Sequence, residues 1–395
     1  MKKILFFVTI FLCNPFLLLA GEIKPGVVIN SENVESYLSE LKKFLTPSIS
    51  VSVINGLKNG WITLPIIEMH KYQLPKTYLE LTAQNAGNFK VNNNNKLIGL
   101  KGKFQAGIPF PTPKDGKELA WNAYLRYHGA DSRFISDFFL YNKNCKLERA
   151  ARMKLYIKWW MHRGGMPPIP EMPGNNGVIK SKESIIVQEP FDVRGFVMLR
   201  IRYDDIEKDD DVYSYIPAIR RIRRLTGADL TDPMMGTDMC NDDFEGWRQK
   251  INPIMTFKIL GAKAFLFPIR YKEKPPEPFS NVNCFQTDWE IRRHYILQID
   301  TNDQNYAYNR RILYLEKEDV SFECNAAENY DQKGRLWRTC GPIVWNRKPP
   351  FYNLWFGGLY MDQVSKHSSL MILQPAYSPI PNEKFTVQGL LKEAK

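Results

Sequence analysis

A run of arginines around one isoleucine, Arg220–Arg224, is the strongest chemical signal in this sequence. On a β-strand, successive side chains point to opposite faces, so Arg221 and Arg223 would share one face and the other arginines would take the opposite one. Ile219 and Leu225 fall on the face of Arg221 and Arg223 and mark it as the inner one. An arginine that faces a core or a cavity needs a carboxylate, carbonyl or phosphate partner. The run therefore predicts an anion-binding face, and a twisted strand with both faces in water is the alternative.

Acidic residues that could supply such partners cluster in two places. The run Asp204–Asp211 lies between two candidate strands, and a second group contains Asp238, Asp242, Asp243 and Glu245. Calcium binds carboxylate groups of this kind, but neither cluster has the D-x-D-x-D-G spacing, so we expect solvated turns without a metal. Two alternatives stay open. Asp238 or Asp243 could pair with the basic run, or the two could form the carboxylate pair of a secreted hydrolase acting on lipid or glycan.

Sequence motifs of known catalytic machinery are absent from the chain. It contains no G-x-S-x-G, H-E-x-x-H, Walker A or G-x-G-x-x-G motif. Its five histidines are scattered, and an isolated histidine is more often structural than catalytic. We therefore expect a protein that is not an enzyme, with no catalytic residue, no metal site and no cofactor.

Aromatic side chains, which make up 13% of the sequence, form the second signal. Most of those in or near predicted strands would belong to an ordinary core, but a curved sheet lined by them can also leave an apolar pocket for a lipid-like ligand. The sequence alone does not separate a filled core from a hollow one. The predicted ligand-binding residues, which include the inner arginines, are Trp159, Trp247, Trp289, Trp337, Tyr213, Tyr215, Arg221 and Arg223.

The elements that must position these residues begin with two helices. Apolar residues recur at helical spacing over Ser31–Leu45, which predicts a helix that ends before Pro47. A second helix is expected to begin at Asp115, because Asp115 and Glu118 have the spacing of a capping box. The alternating prolines of Gly107–Pro113 exclude a helix or a central strand just before it.

From about residue 150 the apolar pattern changes to the period of two that is typical of β-strands. Strand and helix do not alternate regularly, so the predicted fold class is α+β, mostly antiparallel β. We expect one large domain over residues 21–395, with a helix-containing part to about residue 150 and a strand-rich remainder. Besides the basic run, strands are predicted at Met153–Met161, Phe196–Tyr203, Val212–Ile216, Met255–Leu260, Ala264–Tyr271, Trp289–Ile299, Arg311–Glu316 and Leu370–Leu373.

Length, composition and charge limit the class of protein further. The chain has 395 residues, of which 44% are hydrophobic, so it is too apolar for a disordered protein and long enough for a sizeable core. Its formal charge of +12 suits nucleic acid, an anionic membrane surface or an acidic ligand. Lys2 and Lys3, the apolar run after them and Ala20 have the pattern of a secretory signal peptide over residues 1–20. We therefore expect an exported protein that does not bind nucleic acid.

The cysteines beyond residue 20 are widely spaced and contain no C-x-x-C motif, so a zinc site is not predicted. An oxidising compartment permits disulfides. Cys324 and Cys340 flank a turn-rich stretch and are the preferred pair, with buried or idle thiols as the alternative.

Several short motifs, in a fixed order along the chain, resemble those of the outer-membrane lipoprotein-sorting superfamily (LolA/LolB-like). In that superfamily a succession "Y-x-P…R-R-x-R-R…G-S-D" is common, and Thr237 stands here where serine is usual. Two more motifs narrow the resemblance to a large branch of secreted Gram-negative proteins, a domain-of-unknown-function family. The matching stretches are Glu189-Pro-Phe-Asp-Val-Arg-Gly195, Tyr213-Ser-Tyr-Ile-Pro217, Arg220–Arg224, Met235-Gly-Thr-Asp238, Gly107-Ile-Pro-Phe-Pro before Trp121-Asn122, and Tyr330-Asp-Gln-Lys-Gly-Arg-Leu-Trp337.

The resemblance implies a fold and a role. It implies a strongly curved half-barrel sheet that wraps around helices and encloses an apolar cavity for acyl chains. It also implies a periplasmic carrier or chaperone that moves a hydrophobic molecule toward the outer membrane. The partners it implies are an exporter of the resistance-nodulation-division type and an outer-membrane protein, with peripheral membrane contact. An envelope scaffold that binds no hydrophobe is a further alternative. The superfamily offers no catalytic residue to transfer, and the cysteines are not part of its pattern.

Overall fold

The structure is a computed structural model, which describes residues 21–72, 74–225, 232–271, 287–346, 354–377 and 379–393. Its helices are α1 (Val34–Phe44), α2 (Pro47–Lys58), α3 (Lys76–Asn85), α4 (Gly116–Leu125) and α5 (Val387–Glu393). Two small antiparallel ribbons lie among the first four helices. They are β1 (Val28–Ile29) with β2 (Leu64–Pro65), and β3 (Phe89–Val91) with β4 (Leu97–Gly99).

Thirteen further described strands form one large antiparallel sheet. They are β5 (Asp131–Tyr141), β6 (Leu147–Trp159), β7 (Ile179–Glu189), β8 (Val197–Tyr203), β9 (Asp211–Ile216), β10 (Arg221–Leu225), β11 (Met255–Tyr271), β12 (Thr287–Thr301), β13 (Tyr308–Glu316), β14 (Cys324–Asp331), β15 (Leu336–Asn346), β16 (Leu354–Asp362) and β17 (Ser368–Tyr377). Their order across the sheet is β10-β9-β8-β7-β6-β5-β17-β16-β15-β14-β13-β12-β11. The sheet is curved and is not closed, because the edge strands β10 and β11 do not pair with each other.

Two meanders build this sheet. Strands β5 to β10 follow one another from its middle to one edge, and β11 to β17 run from the other edge back to β5. The chain between the edge strands, described over 232–254, returns across one face of the sheet. Along this path the backbone N–H of Asp238 donates to Ser369 of β17, and Asp243 pairs with Arg311 of β13. We call the face that this segment crosses the inner face.

The inner face carries the main hydrophobic core. Helix α4 and Trp247 pack there against strands of both meanders. Val212 of β9 and Leu297 of β12, from opposite parts of the sheet, belong to this same core. The sheet therefore curves around α4 and the returning segment.

The opposite, outer face is covered in two places. Helices α1 and α2 bury Leu41 and Ile49 in a second core with Trp289 and Tyr314 from strands β12 and β13. Phe385 and the C-terminal segment pack over β6, β7 and β8 in a third core. The outer face thus contains buried aromatic residues as well, so an aromatic side chain on a strand does not by itself mark the inner face.

Most of the predicted elements are confirmed. Helices α1 and α4 and the strand that follows Phe196 lie where the sequence places them. The strands predicted at Met255–Leu260 and Ala264–Tyr271 are the two halves of β11, in which a bulge at Gly261 interrupts the apolar pattern. The coarse fold class, mostly antiparallel β with one large curved sheet, is confirmed.

Other predictions are wrong or fall outside the described residues. Cys324 and Cys340 are free, buried thiols, so the predicted disulfide is wrong. The β14–β15 register places Cys340 opposite Ala327 and away from Cys324. Residues 1–20, the predicted signal peptide, lie outside the described part of the chain, and the single-domain organisation stays a prediction. No helix in the described ranges has both the length and the apolar character needed to cross a bilayer.

Candidate functional site

Helix α4 is the element around which the candidate site is built. At its N-terminus the predicted N-cap is present, because Asp115 accepts from the backbone N–H of Glu118 at 2.9 Å. The reciprocal bond of the predicted capping box is shifted by one residue: Glu118 accepts from the N–H of Lys114 at 2.7 Å and not from that of Asp115. Asn122, fully buried, then bonds both the N–H and the carbonyl of Phe110, at 3.1 and 2.6 Å. The proline-rich stretch before the helix is thereby fixed along its side.

A second set of contacts explains the glycine of the Gly107-Ile-Pro-Phe-Pro motif. Gly107 has a φ of +86°, and a Cβ there would lie 2.7 Å from the backbone nitrogen of Thr82 in α3. Next to it, the hydroxyl of Thr82 accepts from the N–H of Ile108, and Asn85 donates to the carbonyl of Ile108. Only glycine combines this conformation with this close approach. The motif therefore locks α3 and α4 into one unit.

A cavity of about 240 Å³ lies between the C-terminal half of α4, the β3–β4 ribbon and the β8–β9 turn. We call it the α4 pocket. Aromatic and aliphatic side chains form much of its wall, and lysines stand among its polar residues. It is lined by Leu97, Gly99, Phe104, Trp121, Leu125 and Ile206, and by Lys96, Lys103, His162, Asp204 and Asp205.

The polar wall of the α4 pocket is ordered by His162. Its Nε2 lies 2.6 Å from Oδ1 of Asp204, its Nδ1 lies 2.8 Å from the carbonyl oxygen of Gln105, and its ring is 5.0 Å from that of Phe104. Burial alone would raise the pKa of Asp204, but the contact with His162 lowers it to about 2. Asp204 is thus a carboxylate held in place, with little freedom to act as a proton donor.

The β3–β4 ribbon covers the α4 pocket, and two contacts hold it. The side chain of Asn95 donates to the carbonyls of Asn252 and Met255, and the indole of Trp121 donates to the carbonyl of Asn95. The ammonium of Lys96 lies 2.7 Å from the carboxylate of Glu207, in a pair that is partly exposed. The hydrogen bonds of Asn95 are largely buried, whereas the Lys96–Glu207 pair lies where water reaches it.

A buried lysine stands on the other side of α4. Lys180 is 1% exposed, and its ammonium group lies 3.0 Å from the centre of the Tyr124 ring, with no hydrogen-bond acceptor among the described residues. The bulge between Ile179 and Ser181 turns it toward the inner face. Burial lowers the pKa of Lys180 well below its usual value, which favours the neutral amine.

The second acidic cluster is buried, so the prediction of solvated turns is wrong for it. Asp243 is fully buried and accepts from Arg311 at 2.8 Å, from Tyr308 at 3.1 Å and from the N–H of Cys240 at 3.0 Å. Asp242 lies 3.4 Å from Arg200. The returning segment carries these acids past arginines of distant strands, and sequence spacing does not show such partners.

Glu245 extends this network toward α4. Its carboxylate lies 3.0 Å from Arg126 and 2.8 Å from His128, with Arg248 at 3.7 Å. Burial lowers the pKa of His128 to about 3, so the imidazole is neutral near pH 7. Within the described ranges, no group of three or more His, Cys, Asp or Glu side chains is placed to hold a metal ion.

Asp238 and Asp243 do not form a carboxylate pair with shared partners. Asp238 accepts from Ser369 at 2.6 Å and lies 2.7 Å from Nδ1 of His367, whereas Asp243 pairs with Arg311. Burial raises the pKa of Asp238. Each carboxylate thus ties the returning segment to a different strand, which favours structural roles over a joint catalytic one.

The predicted ligand-binding aromatic residues do not converge on one site. Trp159 and Trp247 are buried in the inner-face core, where the Trp247 ring lies 6.2 Å from that of Tyr124 and the guanidinium of Arg248 lies 6.0 Å from the Trp159 ring. Trp337 is half-buried on β15, where its indole donates to Asp362.

The remaining aromatic residues of the set belong to the other two cores. Trp289 is fully buried under α1 and α2 on the outer face. Tyr213 and Tyr215 pack, partly buried, with the third core around Phe385. None of the predicted aromatic residues lines the α4 pocket.

Arg221–Arg224 of the basic run lie on the edge strand β10, whereas Arg220 precedes the strand in a left-handed turn conformation, so the prediction that it shares a strand face with Arg224 is wrong. The register of β10 pairs Leu225 with Val212, an inner-core residue, so Arg221 and Arg223 share the inner-facing side, as predicted. Their side chains are nevertheless exposed, which corrects the expectation that they point into a core or cavity. Arg224 pairs with Asp211. At an edge strand, both faces and one flank remain open to water.

The sequence contains a signal for part of the α4 pocket. Trp121 directly precedes the motif asparagine Asn122, and its helix was predicted from the capping box. His162 and Phe104 lie in loops. Their positions next to α4 depend on the path of the β6–β7 connection and on α3, and sequence periodicity does not predict such long-range contacts.

The open, curved antiparallel sheet around α4 is similar in fold to solved structures. A domain from Vibrio parahaemolyticus, described as an outer membrane lipoprotein-sorting protein domain, matches with a TM-score of 0.51 at 18% identity and covers 70% of this chain and 98% of its own. A DUF1329 family protein from Desulfovibrio piger matches with a TM-score of 0.51 at 17% identity, over 69% of this chain and 96% of its own.

The chain belongs to the DUF1329 family, described as proteins of unknown function, whose family model matches residues 28–390. An uncharacterized Pseudomonas aeruginosa protein, PA3922, is 22% identical over 359 residues, which cover 87% of this chain and 74% of that protein. The resemblance inferred from the ordered motifs is thus confirmed.

Proposed function

We propose that this protein is a periplasmic carrier that binds a hydrophobic molecule on the inner side of its curved sheet and moves it toward the outer membrane. The single observation that carries the proposal is the α4 pocket, where Trp121, Leu125 and Ile206 form an apolar wall with lysines at its margin. Such a site suits binding and release. The carboxylates of Asp238 and Asp243 are instead engaged in separate buried contacts.

The physical chemistry of the pocket fits an amphipathic ligand. Each methylene group moved from water into an apolar site contributes about 0.8 kcal/mol. The ammonium groups of Lys96 and Lys103 stand where they could hold an anionic head group. At about 240 Å³ the pocket is smaller than the roughly 300–1,000 Å³ typical of ligand sites. We infer that the β3–β4 ribbon moves outward when a full acyl chain enters.

The half-barrel with an apolar cavity for acyl chains is part of the same proposal, and the lipoprotein-sorting fold supports it. Transfer would then link an exporter of the resistance-nodulation-division type to an outer-membrane protein, a partnership supported by the family resemblance. Arg221 and Arg223, exposed on edge strand β10, are our candidates for contact with such a partner.

Filling the pocket tests the proposal. Ile206→Trp places a large ring in the apolar wall, and Ile254→Trp, at an exposed position, is the matched control. The protein is purified without detergent, its bound molecules are analysed by native mass spectrometry, and its uptake of a fluorescent fatty acid is titrated. Wild type and Ile254→Trp should bind the fatty acid, and Ile206→Trp should bind it at least tenfold more weakly. Equal binding by all three, or none by wild type, would refute the proposed site.

A further inference from the structure

Three hairpin turns of the large sheet expose apolar side chains to water. Phe191, in the β7–β8 turn, is 84% exposed, Val364 in the β16–β17 turn is 66% exposed, and Ile219 in the β9–β10 turn is 44% exposed. A single exposed apolar residue is ordinary on a protein surface. A phenylalanine at the tip of a turn, almost wholly in water, is costly and suggests a surface that is covered in use.

The strand register places these turns at the same end of the sheet. Tyr141 pairs with both Leu147 and Ser368, so the β5–β6 and β16–β17 turns are neighbours. Val197 pairs with Tyr215, so the start of β8 lies beside the end of β9. Four successive turns therefore form one border, which we call the turn rim: residues 363–367, 142–146, 190–196 and 217–220.

The turn rim is also basic. Exposed cations stand beside the apolar tips, among them Lys143, Lys146, Arg194, Arg220 and Lys366. Arg194 lies over the ring of Phe191, 5.8 Å from its centre.

The acidic run Asp204–Asp211 lies in the β8–β9 turn, at the opposite end of the sheet from the turn rim. Several of its acids are paired with cations there, among them Asp210 with Arg200 and Arg202.

We propose that the turn rim is a docking surface for an anionic lipid bilayer. The apolar tips stand on separate turns with cations between them, a spacing that suits insertion between lipid head groups. A protein partner would need a continuous complementary patch of the usual interface size. Basic residues near an anionic surface are attracted to its head groups, and an aromatic ring is favoured at the boundary of the acyl region. Lipid contact at the rim would bring a carrier to the membrane without involving the α4 pocket.

Vesicle binding tests this proposal with the full chain. The protein is floated with vesicles of phosphatidylcholine alone and with equimolar phosphatidylcholine and phosphatidylglycerol. Wild type should float only with the second, and less so as salt is raised. Phe191→Ser should lower the partition of the protein onto the anionic vesicles about tenfold or more, because the phenyl ring that would enter the apolar region of the bilayer is removed. Val178→Ser, an exposed valine at the opposite end of the sheet, should have no effect.

A second pair of variants separates the charges of the turn rim from net charge. Lys143→Gln with Lys146→Gln should weaken the partition about fivefold per charge. Lys42→Gln with Lys43→Gln, on α1, removes the same net charge and should leave it unchanged. All these side chains are exposed. Folding of each variant is checked by circular dichroism and by uptake of the fluorescent fatty acid.

Several results would overturn the proposal. The wild-type protein could fail to bind the anionic vesicles, or the rim variants and the control variants could lose vesicle binding equally. The protein could also form a dimer without lipid that Phe191→Ser abolishes. The last result would assign the turn rim to contact with a second copy of the chain. Fatty-acid uptake should persist in Phe191→Ser, so failure of the rim proposal is distinguishable from failure of the proposed pocket.

Discussion

Removal of the Asp243 carboxylate is the sharpest test of the buried network on the inner face. Asp243 is fully buried and accepts from the guanidinium of Arg311, the hydroxyl of Tyr308 and the backbone N–H of Cys240. Arg311 is itself almost inaccessible to water. Asp243→Ala therefore leaves a buried cation without its carboxylate and a buried N–H without its acceptor.

The expected cost follows from these contacts. Breaking a buried ion pair by removing one partner costs about 3–5 kcal/mol, which is a large part of the roughly 5–15 kcal/mol that stabilises a typical domain. Asp243→Asn keeps the shape and an acceptor oxygen, so it should cost less. The double variant Asp243→Ala with Arg311→Met removes both charges and should be more stable than Asp243→Ala alone.

Urea denaturation followed by circular dichroism measures these free energies of unfolding. The predicted order of stability is wild type, Asp243→Asn, Asp243→Ala, with the double variant above Asp243→Ala. A cost below about 1 kcal/mol for Asp243→Ala would refute the reasoning, because a loss that small is what a solvated carboxylate would give.

Three further predictions concern pH, the proline-rich motif and the ribbon. Burial lowers the pKa of His128 to about 3 and that of His294 to about 4. Below about pH 6.5 the unfolded chain therefore binds protons at these two histidines that the folded chain does not bind. The free energy of unfolding should decrease by about 2 kcal/mol per histidine as the pH is lowered from 7 to 5. Replacing both histidines by Gln should weaken the dependence of the free energy of unfolding on pH, as measured by urea denaturation at each pH. An unchanged pH dependence would contradict this prediction. Asn122→Ala should cost about 2–4 kcal/mol in the same assay, since it strands two buried backbone groups. Glu207→Gln breaks the Lys96–Glu207 pair but keeps the ammonium group of Lys96 at the pocket, so it should speed uptake of the fluorescent fatty acid by up to about fivefold; a rate equal to that of wild type would contradict the inferred movement of the ribbon.

The sequence predicted those parts of the fold that local patterns determine. The Asp115–Glu118 spacing located the start of α4, because the N-cap contact between these residues lies within one turn of helix. Period-two patterns located the strands whose two faces differ in side-chain type, such as β8, where Val197 and Leu199 belong to the third core and the opposite face carries Arg200 and Arg202 in buried ion pairs. A strand with large apolar side chains on both faces does not alternate: Phe138, Phe139 and Leu140 of β5 are all buried, and β5 was not predicted.

Long-range contacts account for what the sequence did not show. Asp243 appears in an acidic, turn-like stretch, yet its partner Arg311 lies on a strand many residues away. Trp289 and Trp247 look alike in the sequence but are buried on opposite faces of the sheet. Arg221 lies on the inner-facing side of its strand, as the alternation of side chains predicts. Its exposure to water could not be predicted in this way, because it depends on β10 being the edge strand of the sheet.

Native mass spectrometry of the detergent-free protein, compared between wild type and Ile206→Trp, tests the central claim most directly. A carrier that uses the α4 pocket should show a bound hydrophobic molecule in wild type, and the filled variant should have lost it while keeping its fold. A wild-type protein that shows no bound hydrophobe and takes up no fluorescent fatty acid, or a filled variant that binds as well as wild type, would contradict the account.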